Sequence, residues 1–178
     1  MANYITISRI LLIFPVLYLI TPETSSNNWL ALSLFVIAGL TDHLDGYIAR
    51  KTGTTTSVGA LLDLMADKLL VIICLVYLLS FHTTILLLIP SLVIIAREII
   101  ISSLRQYLSQ RDGKNVIKVS FVAKSKTTLQ ITALSFLIIS PNFGDSFFAL
   151  TLLLFWLAAY VSVQSLYGYF KSYLNLIK

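Results

Sequence analysis

The chain has 178 residues, 57% of them hydrophobic and 12% charged, with a formal net charge of +5 and a mean hydropathy of +0.88. A soluble globular domain carries about 25% charged residues, so this composition excludes an ordinary water-soluble enzyme or nucleic-acid-binding module and indicates an integral membrane protein. The excess positive charge then reads as the basic bias of cytoplasmic loops.

A membrane span needs about 20 predominantly apolar residues. Six such stretches follow one another, at 4–21, 29–52, 58–81, 84–108, 119–140 and 147–170. The first, in "MANYITISRILLIFPVLYLI", has the basic start and apolar run of a signal peptide. No small-x-small cleavage site follows it, so it is expected to persist as the first membrane helix. Turn-forming segments separate the spans: TPETSSNN (21–28), KTGTTTS (51–57), FHTT (81–84), SQRDGKN (109–115) and SPNFGDS (140–146). No repeat or linker divides the chain, so the expected fold is one all-α integral membrane domain over residues 1–178, with six transmembrane helices. The lone Cys74 reads as an apolar packing residue. Aromatic residues in "FWLAAYVSVQSLYGYF" (155–170) suit a subunit interface, an aromatic belt or lipid-facing packing, the last two being favoured.

Loops 21–28, 81–84 and 140–146 contain no Lys or Arg, whereas Lys51, Arg111, Lys114, Lys171 and Lys178 mark the other side. The positive-inside rule therefore places both termini and the loops at 51–57 and 109–115 in the cytoplasm. With that orientation Arg9, Asp42, Asp63, Asp67, Arg97, Lys124 and Lys126 fall in one layer of the cytoplasmic half. An ionised group at a helix centre costs about 2.5–3.5 kcal/mol on insertion scales. A layer of them implies a polar cavity inside the bundle, open to the cytosol.

Of the 8 acidic residues, four are gathered in "TDHLDGYIARKTGTTTSVGALLDLMADKLL" (41–70). Asp42, Asp45, Gly46, Ala49 and Arg50 share one helical stripe, and Gly59, Asp63 and Asp67 share another. The short intervening loop makes these helices antiparallel neighbours whose stripes can face each other. Four converging carboxylates repel unless cations sit between them. Oxygen donors without a His or Cys cluster suit Mg2+, Mn2+ or Ca2+ rather than zinc. Two such ions would form the clamp used for displacement at phosphorus. Gly46 and Gly59 serve close helix packing, ligand access, or both. Arg50 stands where it can meet a phosphate, and His43 points off the stripe. Glu98 adjoins Arg97 but lies about 100° round the helix, which favours a different basic partner for it.

Written as a pattern, residues 42–67 are D-x2-D-G-x2-A-R-x8-G-x3-D-x3-D. This resembles the signature of the CDP-alcohol phosphatidyltransferase family at every fixed position. The segments "NYITISR" (3–9), "REIIISSLRQYL" (97–108) and "VAKSKTTLQ" (122–130) are similar to the bacterial phosphatidylglycerophosphate synthases of that family. The start departs from the Pro-Asn-leading form of many relatives, although Asn3 and Thr6 stand where that segment contributes.

The resemblance implies two divalent cations, Mg2+ or Mn2+, with Asp42, Asp45 and Asp63 as principal ligands. Asp67 would lie near the second ion and act as general base. Asn3, Thr6, Asp42, Gly46, Ala49, Arg50 and Gly59 would border the CDP moiety. The donor would be CDP-diacylglycerol and the acceptor sn-glycerol 3-phosphate, whose phosphate needs the cations Arg97, Arg105, Lys124 and Lys126. A homodimer in the bacterial inner membrane, in contact with its lipids, is also implied. The alternatives are another acceptor (inositol phosphate, serine or a phospholipid), a divalent-cation transporter, or an inactive scaffold. The absence of an internal repeat argues against transport, and the complete set of motif acids argues against an inactive scaffold.

Overall fold

The computed structural model describes the backbone of residues 2–24, 26–52, 57–112 and 121–177, and the side chains of 8, 10–24, 26–40, 66, 68–104, 106 and 126–170. Every regular element among the described residues is helical. These are α1 (Ala2–Leu19), α2 (Ser26–Thr52), α3 (Ser57–Leu79), α4 (Ile85–Asp112), α5 (Phe121–Ile139) and α6 (Asp145–Ile177), with a 3-10 turn, η1 (Ser140–Asn142), before the last. The helices begin and end close to the expected spans. Three boundaries differ: α2 takes in Ser26–Asn28 from the polar loop, α4 runs through Asp112 into the expected turn at 109–115, and α6 continues beyond 170 to Ile177.

Local chemistry sets the ends. Pro22 follows the last turn of α1, which closes with Ile20 N–H donating to the Val16 carbonyl at 3.2 Å. The Thr84 carbonyl accepts the amides of Leu87 (3.0 Å) and Leu88 (3.1 Å) to start α4. Gly144 has φ +75°, a left-handed conformation that strains an L side chain, and it turns the chain from η1 into α6. Asp145 then opens α6, where a carboxylate complements the helix dipole.

The helices contribute to two compact units, Met1–Thr83 with Leu134–Thr151 and Thr84–Ala133 with Leu152–Lys178. In the first unit α1 packs along both α2 and α3. Its loop end is tied by Asn28, which is 0% exposed. The Asn28 Oδ1 accepts from the Thr21 amide (3.0 Å) and hydroxyl (3.3 Å), while its Nδ2 donates to the Glu23 carbonyl (3.1 Å) and to Asn142 Oδ1 (3.2 Å). The Thr24 hydroxyl donates to the Pro141 carbonyl at 2.8 Å. Beside this clamp Phe143 stacks on Phe147 and meets Trp29 edge-on. His82 stacks on Phe148 with centroids 5.1 Å apart, and its burial lowers the imidazole pKa. Asn28→Ala is expected to lower stability by about 1–3 kcal/mol, because a wholly buried side chain that bridges Thr21, Glu23 and Asn142 is removed. Thermal unfolding in detergent measures it, and an unchanged midpoint would refute the clamp.

Two segments are long and apolar enough to cross a membrane: Ile85–Leu104 (20 residues, mean hydropathy 2.3) and Asp145–Phe170 (26 residues, mean hydropathy 2.0). Their faces are inverted relative to a water-soluble bundle. On α6 Leu153, Trp156, Tyr160 and Tyr167 are exposed, while Thr151, Ser162 and Ser165 are buried. On α4 Leu88, Leu92 and Ile99 are exposed while Ser91 and Arg97 are buried. Apolar outside and polar inside is the arrangement that lipid favours, and the chain is a membrane protein.

Candidate active site

The buried stripes of the first unit lead to the acidic positions. On α2 the wholly buried Asn28, Ala31, Phe35 and Ala38 recur at intervals of three and four residues. Continuing that register reaches positions 42, 45 and 49. On α3 Ala66, Leu70 and Cys74 are buried at intervals of four. The same register runs back through positions 63 and 59, and position 67 falls within the same arc. On α1 the stripe of Ile13, Val16 and Ile20 continues back through positions 9 and 6. Short loops join these helices, so the start of α1, the end of α2 and the start of α3 belong to one end of the unit. The side chains of Asn3, Thr6, Asp42, Asp45, Gly46, Ala49, Arg50, Gly59, Asp63 and Asp67 lie outside the described residues.

In the second unit side-chain geometry is explicit. Arg97 lies on the buried stripe of α4, in register with Leu87, Ile94 and Ile101, and is 5% exposed. Its Nη1 donates to Glu98 Oε1 at 3.1 Å and its Nη2 to the Ser165 hydroxyl of α6 at 2.8 Å. Lys126 of α5, 3% exposed, makes its ion pair with that same Glu98 oxygen. Glu98 therefore joins the two expected phosphate-binding cations. It pairs with Lys126, as its angular offset on α4 suggests, and with Arg97 as well, because the long guanidinium side chain spans that offset. One turn further along α5, Gln130 Nε2 donates to the Ser162 hydroxyl at 3.3 Å.

Arg105 continues the α4 stripe by register, whereas Lys124 stands two residues from Lys126 and so on nearly the opposite side of α5. The side chains of Arg105 and Lys124 lie outside the described residues. Sequence reasoning placed no site residue on the last helix. Ser165 carries no long-range signature, since a helical serine most often bonds its own backbone.

The family model for CDP-alcohol phosphatidyltransferase matches residues 1–164. The chain belongs to the CDP-alcohol phosphatidyltransferase family. It is 40% identical to a relative from Rickettsia typhi, over 96% of this chain and 94% of that protein. It is 39% identical to one from Haemophilus influenzae (94% and 90%) and 36% identical to one from Shigella flexneri (94% and 91%). All three relatives are named CDP-diacylglycerol–glycerol-3-phosphate 3-phosphatidyltransferase.

Family membership implies divalent cations, and the donor chemistry of the chain suits them. The four acidic positions at 42, 45, 63 and 67 offer only carboxylate oxygen, the donor preferred by Mg2+ and Mn2+. Among the described residues no group of three or more His, Cys, Asp or Glu side chains forms an alternative metal site.

Proposed function

We propose that the chain transfers the phosphatidyl group of CDP-diacylglycerol to sn-glycerol 3-phosphate, giving phosphatidylglycerophosphate and CMP. The donor half is supported by the family and by the eight motif positions between Asp42 and Asp67. The acceptor half is supported by the names of relatives similar along nearly the whole chain. The structural observation that supports it is the joining of Arg97 and Lys126 through Glu98, which gathers two buried cations, the side chains suited to an acceptor phosphate, at one place.

In this reading Asp67 takes the proton of the acceptor's 1-hydroxyl. The freed oxygen attacks the β-phosphorus in line, the bond to the leaving oxygen breaks, and CMP departs. Asp42, Asp45 and Asp63 would hold two divalent cations, Mg2+ or Mn2+, with Asp67 beside them. When bound, these supply charge neutralisation at the diphosphate. Asn3, Thr6, Gly46, Ala49, Arg50 and Gly59 border the CDP moiety, and Arg97, Arg105 and Lys126 receive the acceptor phosphate, with Lys124, on nearly the opposite side of α5 from Lys126, attracting it at longer range.

The reading further includes a single six-span domain in the bacterial inner membrane, with both termini and a polar cavity on the cytoplasmic side. The loop charges support that orientation. A homodimer is supported by the family resemblance.

Purified protein in detergent, given CDP-diacylglycerol and a panel of acceptors, tests the assignment. Glycerol 3-phosphate is expected to release CMP, and serine and uncharged alcohols are not. CMP release with inositol phosphate but none with glycerol 3-phosphate would overturn the acceptor.

A further inference from the structure

We infer that Ser165, on the last helix, is a positioning residue for acceptor binding: it holds the Arg97 guanidinium in the orientation that receives the acceptor's phosphate. The inference rests on the acceptor reading above.

Arg97 has five N–H donors in a rigid planar fork, so its usefulness to a phosphate depends on where that plane points. Glu98 alone fixes it poorly, because consecutive residues of a helix diverge by about 100°. The second anchor comes from Ser165, 68 residues away in sequence, at the other terminal nitrogen. With Nη1 on Glu98 and Nη2 on Ser165, the fork is held at both ends. The contact between the two helices is enclosed, Arg97 and Ser165 each being 5% exposed.

The chemistry of the anchor matters as much as its place. Glu98 already places one negative charge beside Arg97 and Lys126. A carboxylate at position 165 would hold Arg97 equally well but add a second, weakening its attraction for a phosphate. A hydroxyl accepts the hydrogen bond and leaves the charge intact.

This use of a hydroxyl differs from its use elsewhere in the chain. Ser33, Ser91, Ser103, Thr132 and Thr151 donate to the carbonyl four residues earlier in their own helices. Ser165 instead accepts from a cation on another helix. Ser162, three residues earlier on the same buried face and 0% exposed, meets the neutral Gln130. It provides a matched control for burial, helix and residue type.

Steady-state kinetics of CMP release, varying each substrate separately, test the inference. Ser165→Ala is expected to raise the KM for glycerol 3-phosphate roughly tenfold, the effect of losing a hydrogen bond to a charged group. The KM for CDP-diacylglycerol and kcat should stay within about twofold, and inorganic phosphate should weaken as a competitor in parallel. Ser162→Ala should leave the KM for glycerol 3-phosphate unchanged. An unaltered KM in Ser165→Ala, an equal rise for both substrates, or an equal rise in Ser162→Ala would each overturn the role. Arg97→Gln separates the two levels of the argument. If it binds glycerol 3-phosphate normally, Arg97 does not receive the phosphate and the role of Ser165 falls with it, the acceptor itself being decided by the panel of acceptors. If it is impaired while Ser165→Ala is normal, only the role of Ser165 falls.

Discussion

Asp67→Asn is expected to abolish turnover, slowing CMP release by roughly 10²–10⁴-fold, the usual contribution of a positioned general base. Asparagine keeps a side-chain oxygen of similar reach but cannot take a proton. Position 67 falls in the same arc as the buried α3 stripe of Ala66, Leu70 and Cys74, four residues beyond Asp63. Three acidic positions remain in the variant, so divalent cations should still bind. CMP release at saturating substrates reads the first effect, and stabilisation against thermal unfolding by Mg2+ or Mn2+ reads the second. Near-normal turnover would remove Asp67 as the base. Loss of both turnover and cation stabilisation would make it principally a ligand.

Glu98→Ala should destabilise the protein by about 3–5 kcal/mol, the typical result of removing one partner from a buried ion pair. The side chains of Arg97, Lys126 and Glu98 are 6%, 4% and 14% exposed, so water offers little compensation for the lost carboxylate. Glu98→Gln keeps an acceptor oxygen and should cost less. Adding Lys126→Met to Glu98→Ala should recover part of the loss, since a buried cation that has lost its Glu98 partner is then removed as well. Thermal or denaturant unfolding in detergent measures all three variants. A Glu98→Ala protein within about 1 kcal/mol of the parent would show that this cluster does not bear on stability. Recovery in the double variant is the sharper criterion, because a simple packing loss would add rather than cancel.

These two predictions concern parts of the chain that were not equally open to sequence reasoning. The acidic positions are evident from periodicity alone, since aspartates at intervals of three and four define a helix face wherever that helix packs. Arg97 and Lys126 could be singled out because a charge within an apolar stretch is costly and so demands a reason. Their common partner was only half accessible. The angular offset of Glu98 on α4 pointed to a different basic residue, but not to one carboxylate oxygen serving two cations. Asn28 looked like loop material within TPETSSNN, yet α2 begins at Ser26 and its amide ties the α1–α2 connection to Asn142.

The sequence by itself determined where helices run, where they break, and which face of each carries the charges. Those properties are local: hydropathy integrates over a single span, and a period of about 3.6 residues assigns each side chain to a face. Tertiary structure decided which neighbour each face meets. Periodicity contains no information about contacts across 68 residues, and a serine hydroxyl can be satisfied by its own helix as readily as by another. Only the packing of α4, α5 and α6 in the second unit brings Ser165 to Arg97 and Lys126 to Glu98.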